Sequence, residues 1–168
     1  LYGGFVNEGV SVEWHDFRVD VPMDWSQTFH QSSLEICLNY TGLARLGVGS
    51  KPYKLGPEQV ALYTARDSVL PATREADSMH RFVTLEFSVD YLRRNLEHLK
   101  DGLTPGIRRF LENPERFEPW IQISNLPAAL LSIRQSLLAP PVPSSAIRTW
   151  YQSKILEVLA LTVFRPDT

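Results

Sequence analysis

The chain has 168 residues, 43% hydrophobic and 21% charged, with a formal net charge of −2 at pH 7. That length suits one domain with its own core, and that balance excludes a disordered chain. Scattered Lys and Arg offer no basic patch for gripping nucleic acid, and no run approaches the ~20 apolar residues of a membrane span, so a soluble, cytoplasmic protein is expected.

The chain opens on Leu1 rather than Met, as a piece of something longer would, and Leu1 to Glu8 reads as a ragged, Gly-containing start. From Val10, the apolar Val10, Val12 and Trp14 alternate with Ser11, Glu13 and His15, which predicts a strand to about Val19. Asp20 to Trp25, with Pro22 inside it, is expected as a loop crossing the mouth of a barrel. Between Phe29 and Tyr40 the residues Leu34, Ile36, Leu38 and Tyr40 share a parity and should face the core. The lone Cys37 lies in this run, where a small buried hydrophobe is expected and no internal disulfide can form.

Thr41-Gly42 predicts a tight hairpin into a strand over Leu43 to Val48. Tyr53 to Leu55 and Gln59 to Ala65 are expected as a central strand pair joined at Gly56-Pro57, followed by a long loop over Arg66 to Ser78. His80 to Phe87 is the last strong strand, with Val83, Leu85 and Phe87 on one parity and His80, Phe82 and Glu86 on the other. Short strands with Gly and Pro turns, and no βαβ rhythm, predict an antiparallel barrel or jelly roll.

The texture changes at Ser88, a candidate N-cap for a helix with the stripe Leu92, Leu96 and Leu99. Pro105 to Leu111 is a second, shorter helix, and Phe117 to Ile123 an extended crossing. Ser124 or Asn125 then caps a helix with the stripe Leu126, Leu130, Ile133 and Leu137. After Pro140-Pro141-Val142-Pro143 a last helix carries Ile147, Tyr151, Ile155, Val158 and Leu159. The fold class is therefore α+β: a barrel over residues 1–87, then a helical region over 88–168 packed on it, ending in an antiparallel helix pair. The apolar content of that pair exceeds what one barrel face needs, so Leu130, Ile133, Leu137, Tyr151, Ile155, Val158 and Leu159 are candidates for a homodimer seam.

Three stretches carry a family resemblance: Tyr53-Lys54-Leu55-Gly56-Pro57-Glu58-Gln59-Val60-Ala61-Leu62-Tyr63, the run Phe82 to Leu92, and Tyr151 to Phe164. Over roughly residues 10 to 165 the chain resembles the N-terminal cupin-like sensor and dimerisation domain of AraC-family transcription regulators. The resemblance implies a small-molecule effector in the barrel, a homodimer, and DNA binding only through helix-turn-helix modules that would follow Phe164 and are absent here. No cofactor and no membrane are expected.

The rival function is a small cupin metalloenzyme with a degenerate site. Enzymatic cupins resemble one another in a His-x-His motif and a later Pro-x-Gly-to-His motif. Here His15, His30, His80 and His98 include no His-x-His pair, and Pro57-Glu58 stands where Pro-Gly would be. A metal on His30, His80 and a carboxylate is the form this rival would take. No nucleophile elbow or phosphate-cradling loop is present, so no catalytic residue is assigned. A binding pocket uses the polar and aromatic residues better: Trp14, Trp25, His30, Tyr40, Arg74 and His80 are the candidates, with Tyr63 weakest because its parity opposes Val60 and Leu62. A barrel that only dimerises is the blander alternative, with these aromatics filling core and Arg74 solvated in a loop.

Overall fold

The computed structural model describes residues 1–48, 50–65 and 70–166. One antiparallel sheet is built from β1 (Tyr2–Gly4), β2 (Val10–Val19), β4 (Ser33–Thr41), β7 (Gln59–Ala65), β9 (Ser78–Ser88) and β10 (Ile121–Asn125), in the order β1-β2-β9-β4-β7-β10. A smaller antiparallel sheet holds β3 (Met23–Asp24), β5 (Ala44–Val48), β6 (Lys51–Leu55) and β8 (Ala72–Arg74), in the order β3-β8-β5-β6. The helices are α1 (Phe5–Glu8), α2 (Val89–Leu96), α3 (Pro105–Glu112), α4 (Ala128–Leu138) and α5 (Ile147–Thr162). The architecture is the expected α+β one, with cupin-like antiparallel sheets that stay open rather than closing into a barrel.

Both faces of the large sheet are buried, in different surroundings. One parity, including Val12, Leu34, Ile36, Leu38, Leu62, Val83, Leu85 and Phe87, joins a single apolar cluster with Leu92, Ile107, Phe110, Leu130, Ile133, Tyr151, Ile155 and Leu159 of the helices. The other parity sends Cys37, Ala61, Tyr63 and Phe82 against Ala44, Leu46, Leu55 and Ala72 of the small sheet. The even-numbered residues of β4 do face a core, but it is the one beneath the helices. The interior between the sheets belongs to the opposite parity.

Neither expected hairpin forms. β4 pairs with β9 and β7, whereas β5 pairs with β6 and β8, so Thr41-Gly42 carries the chain from one sheet to the other. Gly56-Pro57-Glu58 makes the reverse crossing between β6 and β7, with Glu58 in the left-handed region at φ 55. Both crossings are tied by one fully buried side chain: Asn39 Nδ2 donates to the Gly42 carbonyl at 2.9 Å and to the Gly56 carbonyl at 2.6 Å. The long loop expected after Ala65 contains β8, paired with β3 and β5, and its residues Arg66 to Val69 lie outside the described residues.

In the helical half, the Ser88 hydroxyl caps α2 by accepting from the Tyr91 N–H at 3.2 Å. Leu99, expected on the buried stripe, is exposed, because α2 ends at Leu96 and a 3₁₀ turn over Glu97–Gly102 shifts the phase. The extended crossing becomes β10, which lengthens the large sheet at β7, and α4 begins only at Ala128, with Pro127 at its N-cap. The sheet thus draws a strand from beyond residue 88. No helix among the described residues is long and apolar enough to cross a membrane.

The seven residues expected in a dimer seam, Leu130, Ile133, Leu137, Tyr151, Ile155, Val158 and Leu159, are all buried within the chain's own core. The large sheet occupies the stripe that the sequence left without a partner. What α4 and α5 leave open to solvent is a different set: Leu131, Leu138, Leu156 and Leu161.

Candidate functional site

Strand register assembles the site in rows. Ser11 lies opposite Glu86, Glu86 opposite Glu35, and Glu35 opposite Tyr63, so four neighbouring strands each contribute one residue to the same line. The adjacent line holds Glu13 and Thr84, and the next His15 and Phe82. All of these belong to the parity turned away from the helices. Met23 and Trp25, at the start of the small sheet, and Thr28 and His30, in the segment leading to β4, cover this face and enclose a cavity of about 300 Å³.

Its polar groups are organised around two carboxylates. Glu86 is held by three donors from one short segment: the His30 backbone N–H at 3.1 Å, His30 Nδ1 at 2.7 Å and the Ser33 hydroxyl at 2.8 Å. Glu35 accepts from the Tyr63 hydroxyl. Burial pushes the Glu35 carboxyl up to about 8, helped by the facing charges of Glu86 and Glu13 and opposed by the Tyr63 hydrogen bond and Arg74. His15 is hydrogen-bonded through Nε2 to Thr84 Oγ1 at 3.0 Å and stacks on Phe82 with ring centroids 4.3 Å apart. Burial, reinforced by Arg74, holds its pKa below the usual imidazole value despite Glu13.

Of the candidate binding residues, Trp25 and His30 line the cavity, and so does Tyr63, whose opposing parity is what turns it inward. Trp14 and Tyr40 lie on the helix side of the sheet: the Tyr40 hydroxyl donates to the Leu130 carbonyl at 3.1 Å, and Arg134 of α4 lies over both rings. They are interlayer packing residues, misplaced by the assumption that only one face of the sheet is buried.

Arg74 is fully buried rather than solvated. It stands behind the cavity wall, with Nη1 on Asn39 Oδ1 at 2.7 Å and its guanidinium 3.7 Å from the Phe82 ring centroid and 4.8 Å from that of Trp25. Its Nη2 also lies 3.6 Å from the Cys37 sulfur. That thiol is pushed up to about 11 by burial, which fits a packing role and leaves no nucleophile at physiological pH.

His80 is buried away from the cavity, with Nε2 at 2.8 Å from the Glu75 carbonyl and the ring packed against Gly42. The metal set of His30, His80 and a carboxylate is therefore not assembled. Among the described residues no group of three His, Cys, Asp or Glu side chains is placed to hold a metal ion.

The residues missed from the sequence, Ser11, Glu13, His15, Glu35, Thr84 and Glu86, are the polar halves of the alternating strands. The signal was present in their shared parity. In a sheet with one solvated face that parity points to water.

No curated protein matches the sequence. Among solved structures, ToxT of Vibrio cholerae shares the fold: an apo form of its K231A variant superposes with a TM-score of 0.55 at 14% identity, over 96% of this chain and 60% of that one. A second ToxT structure, from strain O395, gives 0.50 at 11% identity over 96% and 59%. A third, wild-type ToxT from strain SCE256 bound to an unsaturated fatty acid, gives 0.50 at 12% identity over 96% and 59%. The chain thus spans about 60% of the length of these ToxT structures. The family model described as the regulatory protein PchR N-terminal domain matches residues 5–163, nearly the whole chain, and so the chain belongs to that family of N-terminal regulatory domains of AraC-type regulators.

Proposed function

We propose that this domain senses a small molecule in the cavity of the large sheet, self-associates through its C-terminal helices, and passes the ligand's presence to a DNA-binding half in a cytoplasmic regulator, without catalysing a reaction. The observation that carries this is the cavity itself. About 300 Å³ is enclosed between aromatic walls and a few fixed polar groups, as small-ligand sites are, at the lower end of their size range. The regulatory family supports a non-catalytic reading, and ToxT, which shares the fold, is described as binding an unsaturated fatty acid.

A route out of the cavity is also in place. The Phe5 ring stacks on His30 with centroids 4.1 Å apart, and three residues earlier Tyr2 stacks on Tyr151 of α5 at 5.0 Å. One short N-terminal segment therefore touches both the cavity wall and the last helix. A ligand that moves His30 would change the populations of two positions of that segment, and with them the setting of α5.

The test is a thermal-shift screen of small molecules on the wild-type chain and on Thr84→Trp, which fills the cavity floor. A true effector raises the melting temperature of the wild type and not of the filled variant, because only binding to the native state stabilises it. Hits that stabilise both equally would place binding elsewhere.

A further inference from the structure

The cavity's charge distribution selects among ligand classes, on the reading that it is the sensing site. Among the described residues lining it, three are glutamates, Glu13, Glu35 and Glu86, and none is Lys or Arg. Arg74 lies behind Phe82 and Trp25, with Nη1 on Asn39 and its guanidinium against those two rings, and is not among the described lining residues. Nor do the histidines supply a free cation. His30 is tied to Glu86 through Nδ1 and covered on one face by Phe5, and His15 is held towards its neutral form by burial. The remaining wall joins the hydroxyls of Ser11, Thr28 and Thr84 to the apolar and aromatic side chains of Phe17, Met23, Trp25, Tyr63 and Phe82.

A carboxylate placed here would lose water and meet the Glu13 and Glu86 carboxylates, with no Lys or Arg among the described lining residues to pair with it. A cation would meet Glu86 and Glu13 and could lie against aromatic faces. Glu35, facing Glu86 across the strand ladder, is pushed up to about 8 chiefly by burial, with the Glu86 and Glu13 charges adding to the shift.

We propose that the cavity takes a small aromatic or otherwise apolar ligand bearing a cationic nitrogen, an amine or amidine, in preference to a carboxylate such as a fatty acid. The test uses three probes sharing one ring and differing in charge: tryptamine, tryptophol and indole-3-acetate. Each is titrated into the ¹⁵N-labelled chain while the Trp25 indole N–H signal, assigned with Trp25→Phe, is followed. Tryptamine is expected to bind roughly tenfold or more tightly than indole-3-acetate, with tryptophol between them. Glu13→Gln, at a side chain largely open to solvent and therefore tolerant of change, should narrow the gap. Indole-3-acetate binding as tightly as tryptamine, or an unchanged gap in Glu13→Gln, would overturn the charge preference and leave cavity sensing intact. If no probe moves the Trp25 signal at millimolar concentration, the charge preference fails, while the sensing reading is decided by the thermal-shift screen.

Discussion

Glu35 and Glu86 sit directly opposite one another on β4 and β9, and both face the cavity. Two carboxylates at this spacing on one face of a sheet repel when both are ionised. The pair divides the work: Glu86 takes three donors, whereas Glu35 has the Tyr63 hydroxyl and takes up a proton.

That division has a sign in pH. The folded-state pKa of Glu35, about 8, lies above its ordinary 4.5, so the folded state holds a proton that the unfolded state releases. Its contribution to stability is fully present below pH 4.5, declines between 4.5 and about 8, and is flat above. Lowered imidazole pKa values at His15 and His80 act in the opposite sense below their ordinary 6.5, so the informative quantity is a difference. Relative to wild type, Glu35→Gln should gain on the order of 1–3 kcal/mol between pH 5 and 8, the partial exposure of this site reducing the full linkage value. Denaturant melts across that range check it, and parallel profiles for the two proteins would place the proton elsewhere.

Gly42 is required twice over. It holds φ +87, and a Cβ added there would come within 2.2 Å of His80 Nδ1. The turn cannot retreat, because Asn39 binds its carbonyl. Gly42→Ala is expected to cost about 2 kcal/mol or more, a fall of ~4–8 °C in Tm, while Gly4→Ala, with nothing within 4 Å of its added Cβ, should change little.

On the proposal that the C-terminal helices self-associate, folding and association would rest on different residues of α4 and α5. Ile155→Asp puts a charge into the buried cluster and should destabilise the single chain by about 4 kcal/mol at any protein concentration. Leu131→Asp with Leu138→Asp touches only exposed positions and should leave stability within about 1 kcal/mol of wild type while, if the proposed dimer forms through α4, lowering the mass seen in sedimentation. A dimer of unchanged strength in that double variant would move the seam off α4.

Phe5→Ala removes the ring over His30 but little else, since α1 buries none of its residues. Hydrogen exchange should quicken across residues 2–9 with the β4 and β9 amides unaffected, because the segment opens locally. Equal protection in the two proteins would mean that the strand pairing of β1 with β2 alone fixes the segment.

Much of this molecule is local in origin and was legible residue by residue. The alternation in β2, β4 and β9, the Ser88 cap, the stripe of α4 and the stop imposed by Pro140 to Pro143 each depend on neighbours within a few positions in the chain. The family resemblance was legible too, because it rests on such runs. Period two says only that a strand has two unlike faces. Which of them looks into the cavity depended on two layers arriving from far along the chain, the helices after Ser88 on one side and the small sheet on the other. Only that packing turned Glu13, Glu35, Thr84 and Glu86 from a solvent-facing parity into a cavity wall, sent Trp14 and Tyr40 beneath α4, and closed Ile155 and Leu159 inside the chain. The physical reason is that burial is a property of the assembled layers, and no sequence window contains both the strand and what covers it.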